Sequence, residues 1–263
     1  MLTNARYLKD LVVGATDGDI GRVDNLYFDD ETWVVRYVTA ETGSWLGGRQ
    51  VLISPFSVIK TNWQDRRLEV SLTKKQIAGS PDIDTERPVS RQHEAAYLGY
   101  FGYPYYWGGP YMWGPALCPS GVPMVPIATT SESMGERIQR ESLDSHLRSA
   151  DAVKGYRIEA VDGEIGHVDG FIVDDENWSI RYMELATRNW WPGKKVLVSP
   201  AWIKHVSWAE STVHVRLTRE AVQTAPQFDE SAPITREYED LLHKHYDQAP
   251  YWIREVQSEA SRR

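Results

Sequence analysis

The chain has 263 residues, with eleven Trp, fourteen Tyr, one Cys and a formal net charge of −8. The acidity disfavours nucleic acid as a partner, because binding phosphates takes clustered Lys and Arg, and the single Cys118 excludes an internal disulfide or a Cys2His2 zinc site. No stretch offers about 18 to 20 apolar residues free of Gly and Pro, and the first residues lack the apolar core of a secretory signal. These features predict a cytoplasmic protein that does not insert into a membrane.

The first predicted elements recur later in the chain. The segment DGDIGRVDNLYFDDETWVVRYV, from Asp17, aligns without a gap with DGEIGHVDGFIVDDENWSIRYM, from Asp162, at a shift of 145 residues. In both copies Asp-Gly and Asp-Asp mark turns. An alternating strand follows, with Trp33, Val35 and Tyr37 on one face in the first copy. The sequence therefore predicts two homologous domains.

The later elements of each copy are also short strands. VLISP and VLVSP are typical of a buried strand closed by Ser-Pro, and IKTNW-QDRR-LEVSL and KHVSW-AEST-VHVRL are typical of a hairpin. Thr73 with Gln76 predicts a capping box for a short helix, and Ser90 and Thr235 are suitable N-caps for a second helix. Five or six strands in each copy indicate a mainly β fold of two homologous small β-barrels with short helices after each barrel.

The repeat predicts four parts of the chain. Residues 1–96 form the first barrel domain with its C-terminal helix, 97–146 an aromatic linker rich in Gly and Pro, 147–252 the second barrel domain with its C-terminal helix, and 253–263 a charged tail. Within the linker, Tyr106-Trp107 aligns with Tyr251-Trp252, which predicts that Trp107 is buried against its barrel. The segment GGPYMWGP has no counterpart and is predicted to form an aromatic strap on the second barrel or across a subunit boundary.

These motifs resemble a known family. The pattern D-G-x-I-G-x-V-D, then a D-D turn, W-x-x-R-Y and V-L-[IV]-S-P, within residues 8–72 and again within 153–217, is similar to the PRC-barrel domain. That domain occurs in the cytoplasmic part of the photosynthetic reaction centre H subunit and in the ribosome maturation factor RimM. The resemblance implies a small barrel that acts as a binding or assembly module without common catalytic residues. With two such copies, the chain is similar to free-standing bacterial tandem PRC-barrel proteins, some of which are associated with stress responses.

Arg36 and Arg181 are the candidate polar contacts. Each lies on the most regular strand of its copy, between apolar residues and a Tyr. An arginine there would pair with a nearby acid such as Asp24 or Asp169, stack on an aromatic ring, or bind an anion or the carboxylate of a partner.

Four aromatic residues are the candidate interface. Tryptophans retained in both copies are expected in the common core or on a shared packing surface. Trp113, Trp191 and Trp202 have no counterpart, and Tyr111 belongs to the strap. Because Trp often anchors interfaces, these residues are predicted to lie in exposed or inter-domain contacts.

A histidine pair is the nearest approach to a metal site. His205 and His214 are predicted to face each other, pointing outward, across the last hairpin, where the first copy has Lys60 and Glu69. The pair could bind Zn2+ or respond to pH, but no third ligand is evident in the sequence. The repeated acidic residues are explained by turn chemistry, and their spacing is not that of an EF-hand. No metal and no cofactor is therefore predicted.

No motif for catalysis is present. The chain has no G-x-S-x-G elbow, no P-loop and no G-x-G-x-x-G, and Cys118 has no basic neighbour in LCPSGVP. The prediction is a non-catalytic interaction or assembly module that binds an unidentified protein partner, forms a homo-oligomer, and acts in stress responses or near a membrane complex. The alternative is a small-ligand or cofactor-binding module with an aromatic pocket between the barrels.

Overall fold

A computed structural model describes residues 1–81, 89–120, 146–187 and 194–253. The described residues belong to two compact units. Unit 1 comprises Met1, Ala5–Ala152 and Val173–Ile180, and unit 2 comprises Leu2–Asn4, Val153–Ile172 and Arg181–Arg263. Each unit includes short segments from the other half of the chain.

The described elements are mostly short strands. The strands are, in chain order, β1 (Leu2–Asn4), β2 (Val12–Ala15), β3 (Gly18–Asp29), β4 (Val34–Glu41), β5 (Gln50–Ile53), β6 (Val58–Asn62), β7 (Arg67–Val70), β8 (Leu147–Ser149), β9 (Arg157–Ala160), β10 (Gly163–Asp174), β11 (Ile180–Ala186), β12 (Lys195–Val198), β13 (Ile203–Ser207) and β14 (Thr212–Val215). The α-helices are α1 (Lys74–Ala78), α2 (Arg91–Phe101), α3 (Ala150–Val153), α4 (Arg219–Thr224) and α5 (Arg236–His245). Short 3-10 turns lie at Ala5–Tyr7, Gly43–Leu46, Pro55–Ser57, Tyr106–Gly108 and Pro200–Trp202. No helix in these described segments is long and apolar enough to cross a membrane.

Both units are built on a seven-stranded sheet with the same strand order. In unit 1 the order is β5-β4-β3-β2-β7-β6, and in unit 2 it is β12-β11-β10-β9-β14-β13. The contacts β2–β7 and β9–β14 are parallel. The seventh strand of unit 1 is β8, which pairs with β3, and that of unit 2 is β1, which pairs with β10. The predicted fold class is confirmed as two mainly β, barrel-like units with short helices.

The predicted helix starts are also confirmed. Thr73 and Gln76 form a complete capping box at α1, and the side chains of Ser90 and Thr235 cap α2 and α5. The carboxylate of Asp17, in the turn before β3, accepts a hydrogen bond of 2.8 Å from the backbone nitrogen of Lys74. Asp162 does the same for the first residue of α4, also at 2.8 Å. The repeated Asp-Gly turn therefore anchors a helix N-terminus in each unit.

The predicted strand position of Trp33 is wrong. Trp33 has φ of 57° and its counterpart Trp178 has φ of 63°, so both lie in left-handed turns, just before β4 and β11. In unit 1 the carboxylate of Asp29 accepts hydrogen bonds of 3.0 Å from the backbone nitrogens of Glu31 and Thr32, which tightens the turn. Burial of the indole against Phe28, with ring centroids 5.1 Å apart, offsets the cost of this backbone conformation.

The second glycine of the repeated D-G-x-I-G motif is required by a close strand contact. A Cβ on Gly21 would lie 1.8 Å from the carbonyl oxygen of Glu41, and one on Gly166 would lie 2.3 Å from that of Ala186. No side chain fits at these distances, so only glycine allows β3 and β10 to approach their neighbours here.

Candidate functional site

A buried polar cluster in unit 1 is built around Arg36. Arg36, on β4, is 2% exposed, and its Nη1 donates a hydrogen bond of 2.7 Å to the carbonyl oxygen of Met112. Its Nη2 donates to Thr32 at 3.1 Å and lies 3.9 Å from the carboxylate of Asp29. The guanidinium carbon lies 3.9 Å from the ring centroid of Tyr106. Arg36 thus joins the turn before β4 to the aromatic segment that follows α2.

A buried carboxyl group, Glu94, lies beside this arginine. Glu94 lies on α2 and is 1% exposed. Its carboxylate accepts hydrogen bonds from the hydroxyls of Tyr106 and Tyr37, the latter at 3.4 Å, and lies 3.3 Å from Nη1 of Arg91. Arg91 also donates to the Tyr106 hydroxyl at 2.8 Å. We call Arg36, Tyr37, Arg91, Glu94 and Tyr106 the Arg–Tyr–Glu cluster of unit 1.

Burial sets the protonation chemistry of this cluster. It raises the pKa of Glu94 from 4.5 to about 7, an effect that Arg91 and the Tyr106 hydroxyl oppose. Burial also raises the pKa of Tyr37 and that of Tyr106 well above 10. Glu94 is therefore the group of this cluster that titrates near neutral pH.

We expect Glu94 to make unit 1 less stable as the pH rises. A carboxyl group with a higher pKa in the folded state stabilises the fold below about pH 4.5, and this contribution is lost as the pH rises through about 7. The loss amounts to about 3 kcal/mol. Urea unfolding at pH 5 to 8 measures the free energy of unfolding of the wild type and of Glu94→Gln. Only the wild type should show this fall in the free energy of unfolding as the pH rises. The matched control is Glu69→Gln, at a more exposed glutamate on β7, which should keep the wild-type slope. Parallel pH dependence of the wild type and Glu94→Gln would contradict the assignment.

Unit 2 contains the same cluster 145 residues later in the sequence. The carboxylate of Glu239, on α5, accepts hydrogen bonds from Tyr182 at 2.9 Å and Tyr251 at 3.0 Å, and it lies 3.1 Å from Nη1 of Arg236. Arg181 lies over the ring of Tyr251, 3.9 Å from its centroid. Burial raises the pKa of Glu239, as it does that of Glu94. The repeat therefore preserves an entire hydrogen-bonded arrangement as well as the fold.

One side chain distinguishes the second cluster from the first. His243, on α5, is 3% exposed, and its Nε2 lies 3.0 Å from the hydroxyl of Tyr182. The equivalent position in unit 1 holds Leu98, which is fully buried. Unit 2 thus adds a titratable ring where unit 1 has an apolar side chain.

The predicted acid partners of the two arginines are wrong. Asp24 accepts a hydrogen bond from Gln50 at 3.1 Å, and Asp169 accepts one from Lys195 at 2.6 Å. Arg36 instead lies near Asp29, and the ring stacking that was also predicted occurs in both units. Arg91 and Glu94 are not among the predicted site residues, although Arg and Glu recur at the same three-residue spacing in the second copy, at Arg236 and Glu239.

The structure buries two of the predicted interface residues within their own units. Trp113 is fully buried in unit 1, where its indole nitrogen donates to the carbonyl oxygen of Asn177 at 2.9 Å. Trp202 is 2% exposed in unit 2 and packs against Tyr246, with ring centroids 4.8 Å apart. Each indole is therefore part of the core of its own unit. Tyr111 is half-buried, and Trp191 lies outside the described residues.

The indole of Trp107 is less buried than predicted. It is half-buried, with its ring 4.3 Å from the guanidinium carbon of Arg91 and stacked 4.9 Å from the ring of Tyr105. Tyr106, beside it, is the residue of the pair that enters the core, with 4% exposure.

Unit 1 has a surface cleft of about 400 Å³ beside the edge strand β6. Its lining comprises Pro55, Val58, Ile59, Lys60, Thr61, Cys118, Pro119, Ser120, Asp175, Glu176 and Trp178. Ile59 is 60% exposed, and Leu117, next to the lining residue Cys118 in sequence, is 42% exposed. The lining therefore combines apolar side chains with charged ones.

The charged groups of the cleft have internal partners. The Asp175 carboxylate contacts the N-terminal ammonium of Met1 at 2.5 Å and the indole nitrogen of Trp63 at 3.4 Å. Lys60 pairs with Glu69 at 3.4 Å. This arrangement is typical of a recognition surface, since the charged groups are held by neighbours and the apolar groups are exposed.

Unit 2 contains a cluster of acidic side chains around a lysine. Asp169, Glu184 and Glu230 are close enough to share an ion, and the ammonium of Lys195 contacts all three. Glu184 is 1% exposed and also accepts a hydrogen bond of 2.7 Å from Asn4 of β1. The lysine supplies the positive charge that balances these carboxylates. Through Glu184, the cluster connects Asn4 of β1 with Lys195 of β12.

Comparison with protein families gives a match to part of the first unit. Residues 7–77, which run from the end of the first 3-10 turn through the β6–β7 hairpin and into α1, match the family model of the PRC-barrel domain. The search of curated proteins gave no match. The predicted resemblance to this domain is confirmed for the matched residues.

Proposed function

We propose, on the basis that residues 7–77 form a PRC-barrel domain, that this protein is a non-catalytic interaction module whose cleft beside β6 receives an extended segment of a partner protein. The repeat of sequence and strand order supports a barrel of the same kind in the second unit. The observation that carries the proposal is an edge strand with an exposed apolar side chain beside a cleft of about 400 Å³.

The edge position of β6 supports binding through the backbone. In the sheet of unit 1, β6 stands at the end of the strand order and pairs with β7 on one side. No other described strand pairs with its opposite side, whose backbone groups are of the kind that an added strand pairs with in β-augmentation. Specificity would come from the cleft, where a side chain of the added strand contacts Trp178 and Pro55.

The internal use of the titratable groups supports a non-catalytic role. Among the described residues, the carboxyl groups whose pKa burial raises are Glu94, Glu184 and Glu239. All three accept hydrogen bonds inside their units, and none lines the cleft. A catalytic acid or base must reach a substrate within hydrogen-bonding distance. The charged side chains in the described lining of the cleft are Lys60, Asp175 and Glu176, and the first two pair with neighbours.

Self-association is part of the proposal. Two β6 strands can pair antiparallel about a twofold axis, the usual arrangement of homodimers. A second copy is then one of the partners that this edge accepts. An association with stress responses or with a membrane complex rests on the resemblance to tandem PRC-barrel proteins.

A small-ligand module is the second candidate. The volume of the cleft, about 400 Å³, falls within the range of small-molecule sites. Native mass spectrometry of the purified protein separates the two functions, because a retained small molecule that is lost on mutation of Trp178 would favour the ligand-binding role.

We expect Ile59→Lys to abolish partner binding without unfolding the protein. The equivalent position on β13 is Lys204, so the same fold accepts lysine there. In cells, a photo-crosslinking residue at position 59 should capture either a partner protein or a second copy of this chain, and light scattering should detect a second copy independently. The same crosslinking residue at position 204 should capture neither. With the crosslinking residue moved to position 61, the crosslinked yield of Ile59→Lys should be at least about tenfold lower than that of the wild type at position 61. This is the effect expected when a central apolar contact of an interface is lost. Equal yields from positions 59 and 204, or no loss in Ile59→Lys, would contradict the proposal.

A further inference from the structure

We infer that unit 2 carries a surface site for a divalent transition metal ion such as Zn2+, formed by His205, His214 and Glu159. The predicted pairing of the two histidines is confirmed, since His205 on β13 is the register partner of His214 on β14. Their rings are stacked, with centroids 4.2 Å apart and planes 14° from parallel.

The sheet supplies the third ligand that the sequence did not reveal. β9 runs parallel to β14, and this pairing places Glu159 in register with His214. A carboxylate oxygen of Glu159 lies 3.5 Å from Nδ1 of His214. β9 is far from the hairpin in sequence, so the link between these residues depends on the parallel strand contact.

The three side chains lie on the outer face of the sheet. Val213 and Val215 flank His214 on β14, and Ile158 precedes Glu159 on β9, and all three are buried, at 1% exposure or less. Because side chains alternate along a strand, the histidine and the glutamate point to solvent. His205 is exposed and His214 is 25% exposed, so an ion can reach both rings.

The chemistry of the donors suits a transition metal ion. Two imidazoles and one carboxylate are a common ligand set for Zn2+, with a fourth position left for water. Each ring must turn so that one nitrogen points to the shared ion at about 2.0–2.1 Å. The surface position permits this rotation, and Glu159 is within reach of the ion or of the second nitrogen of His214.

Unit 1 has an ion pair where unit 2 has the histidines. Lys60 and Glu69 are register partners at the equivalent positions, 3.4 Å apart, and Gly14 stands in place of Glu159. The barrel thus folds with either arrangement. The duplication provides a metal-free counterpart of the site.

Zinc titration of the untagged full chain tests this inference. Isothermal titration with Zn2+, repeated with Ni2+, should show one saturable ion per chain, and binding should weaken as the pH falls, because protons compete for the imidazoles. The double variant His205→Lys, His214→Glu reproduces the ion pair of unit 1, and its affinity for Zn2+ should fall at least about tenfold. The affinity of Glu159→Gln should also fall about tenfold or more, since loss of even a residue that only hydrogen-bonds to a metal ligand lowers metal affinity about 10- to 100-fold. The control Lys60→Gln, Glu69→Gln should bind like the wild type.

The result that would overturn the inference is equally specific. Absence of saturable Zn2+ and Ni2+ binding, or one equivalent retained by the His205→Lys, His214→Glu variant, would exclude the site. Unchanged affinity in Glu159→Gln would remove Glu159 from the ligands. Nuclear magnetic resonance locates the ion independently, because Ni2+ should broaden the ring signals of His205 and His214 before those of His243 and His245.

Discussion

Replacing Arg36 with Met is expected to lower the free energy of unfolding of unit 1 by about 3–5 kcal/mol. The guanidinium is 2% exposed, and the neighbouring Asp29 side chain is 6% exposed. Methionine fills a similar volume but leaves Asp29 without its cation and the carbonyl oxygen of Met112 without this donor. A buried acceptor that loses its donor is costly, and so is a buried carboxylate that loses its neighbouring cation, although Asp29 keeps its two backbone hydrogen bonds. Urea unfolding, with hydrogen exchange to locate the loss in unit 1, provides the measurement.

The conservative variant separates the charge from the stacking. Arg36→Lys keeps the positive charge but loses the planar group over Tyr106 and the two-point donation to Met112 and Thr32. Its stability should fall between that of the wild type and that of Arg36→Met. A loss below about 1 kcal/mol in Arg36→Met, the size of a surface ion pair, would show that the cluster does not depend on this arginine.

The duplication made most of the fold predictable. Each hairpin signal and cap appears twice, so a wrong assignment would have had to recur in both copies. The register of His205 with His214 and the capping box at Thr73 follow from local rules, and both are found. The strands β1 and β8 each belong to the unit that is built mainly from the other half of the chain. They could not be predicted, because three residues are too few to show strand periodicity.

The candidate site was predictable in part. Periodicity placed Trp33 on a strand, but the two hydrogen bonds accepted by Asp29 hold that turn in the left-handed region. The partner of Arg36 depends on where the turn before β4 ends, which alternation along the strand does not specify. The recurrence of Arg91 and Glu94 was available in the sequence, whereas the contact between Glu159 and His214 required the parallel pairing of β9 with β14.

Replacing Lys195 with Gln is expected to lower the free energy of unfolding of unit 2 by about 3–5 kcal/mol at pH 7. The ammonium contacts Asp169, Glu184 and Glu230, and Glu184 is 1% exposed. The variant leaves three carboxylates together without the cation that they share, and Glu184 keeps the amide of Asn4 as a hydrogen-bond donor. Burial raises the pKa of Glu184, so lowering the pH from 7 protonates this carboxylate more readily than an exposed one, and the variant should regain stability as the pH falls.

Unit 1 shows which second change should restore the variant. At the positions equivalent to Lys195 and Glu184 it has Gln50 and Thr39, and Gln50 donates to Asp24 at 3.1 Å. Lys195→Gln combined with Glu184→Thr removes the buried carboxylate together with its cation, so the double variant should be more stable at pH 7 than Lys195→Gln alone. Chemical unfolding of the two single variants and the double variant gives the coupling energy, expected at about 0.5 to 3 kcal/mol. Additive losses would mean that Lys195 stabilises unit 2 by contacts other than its charge. Coupling would mean that Lys195 and Glu184 stabilise unit 2 as a charge pair, at positions where unit 1 has Gln50 and Thr39.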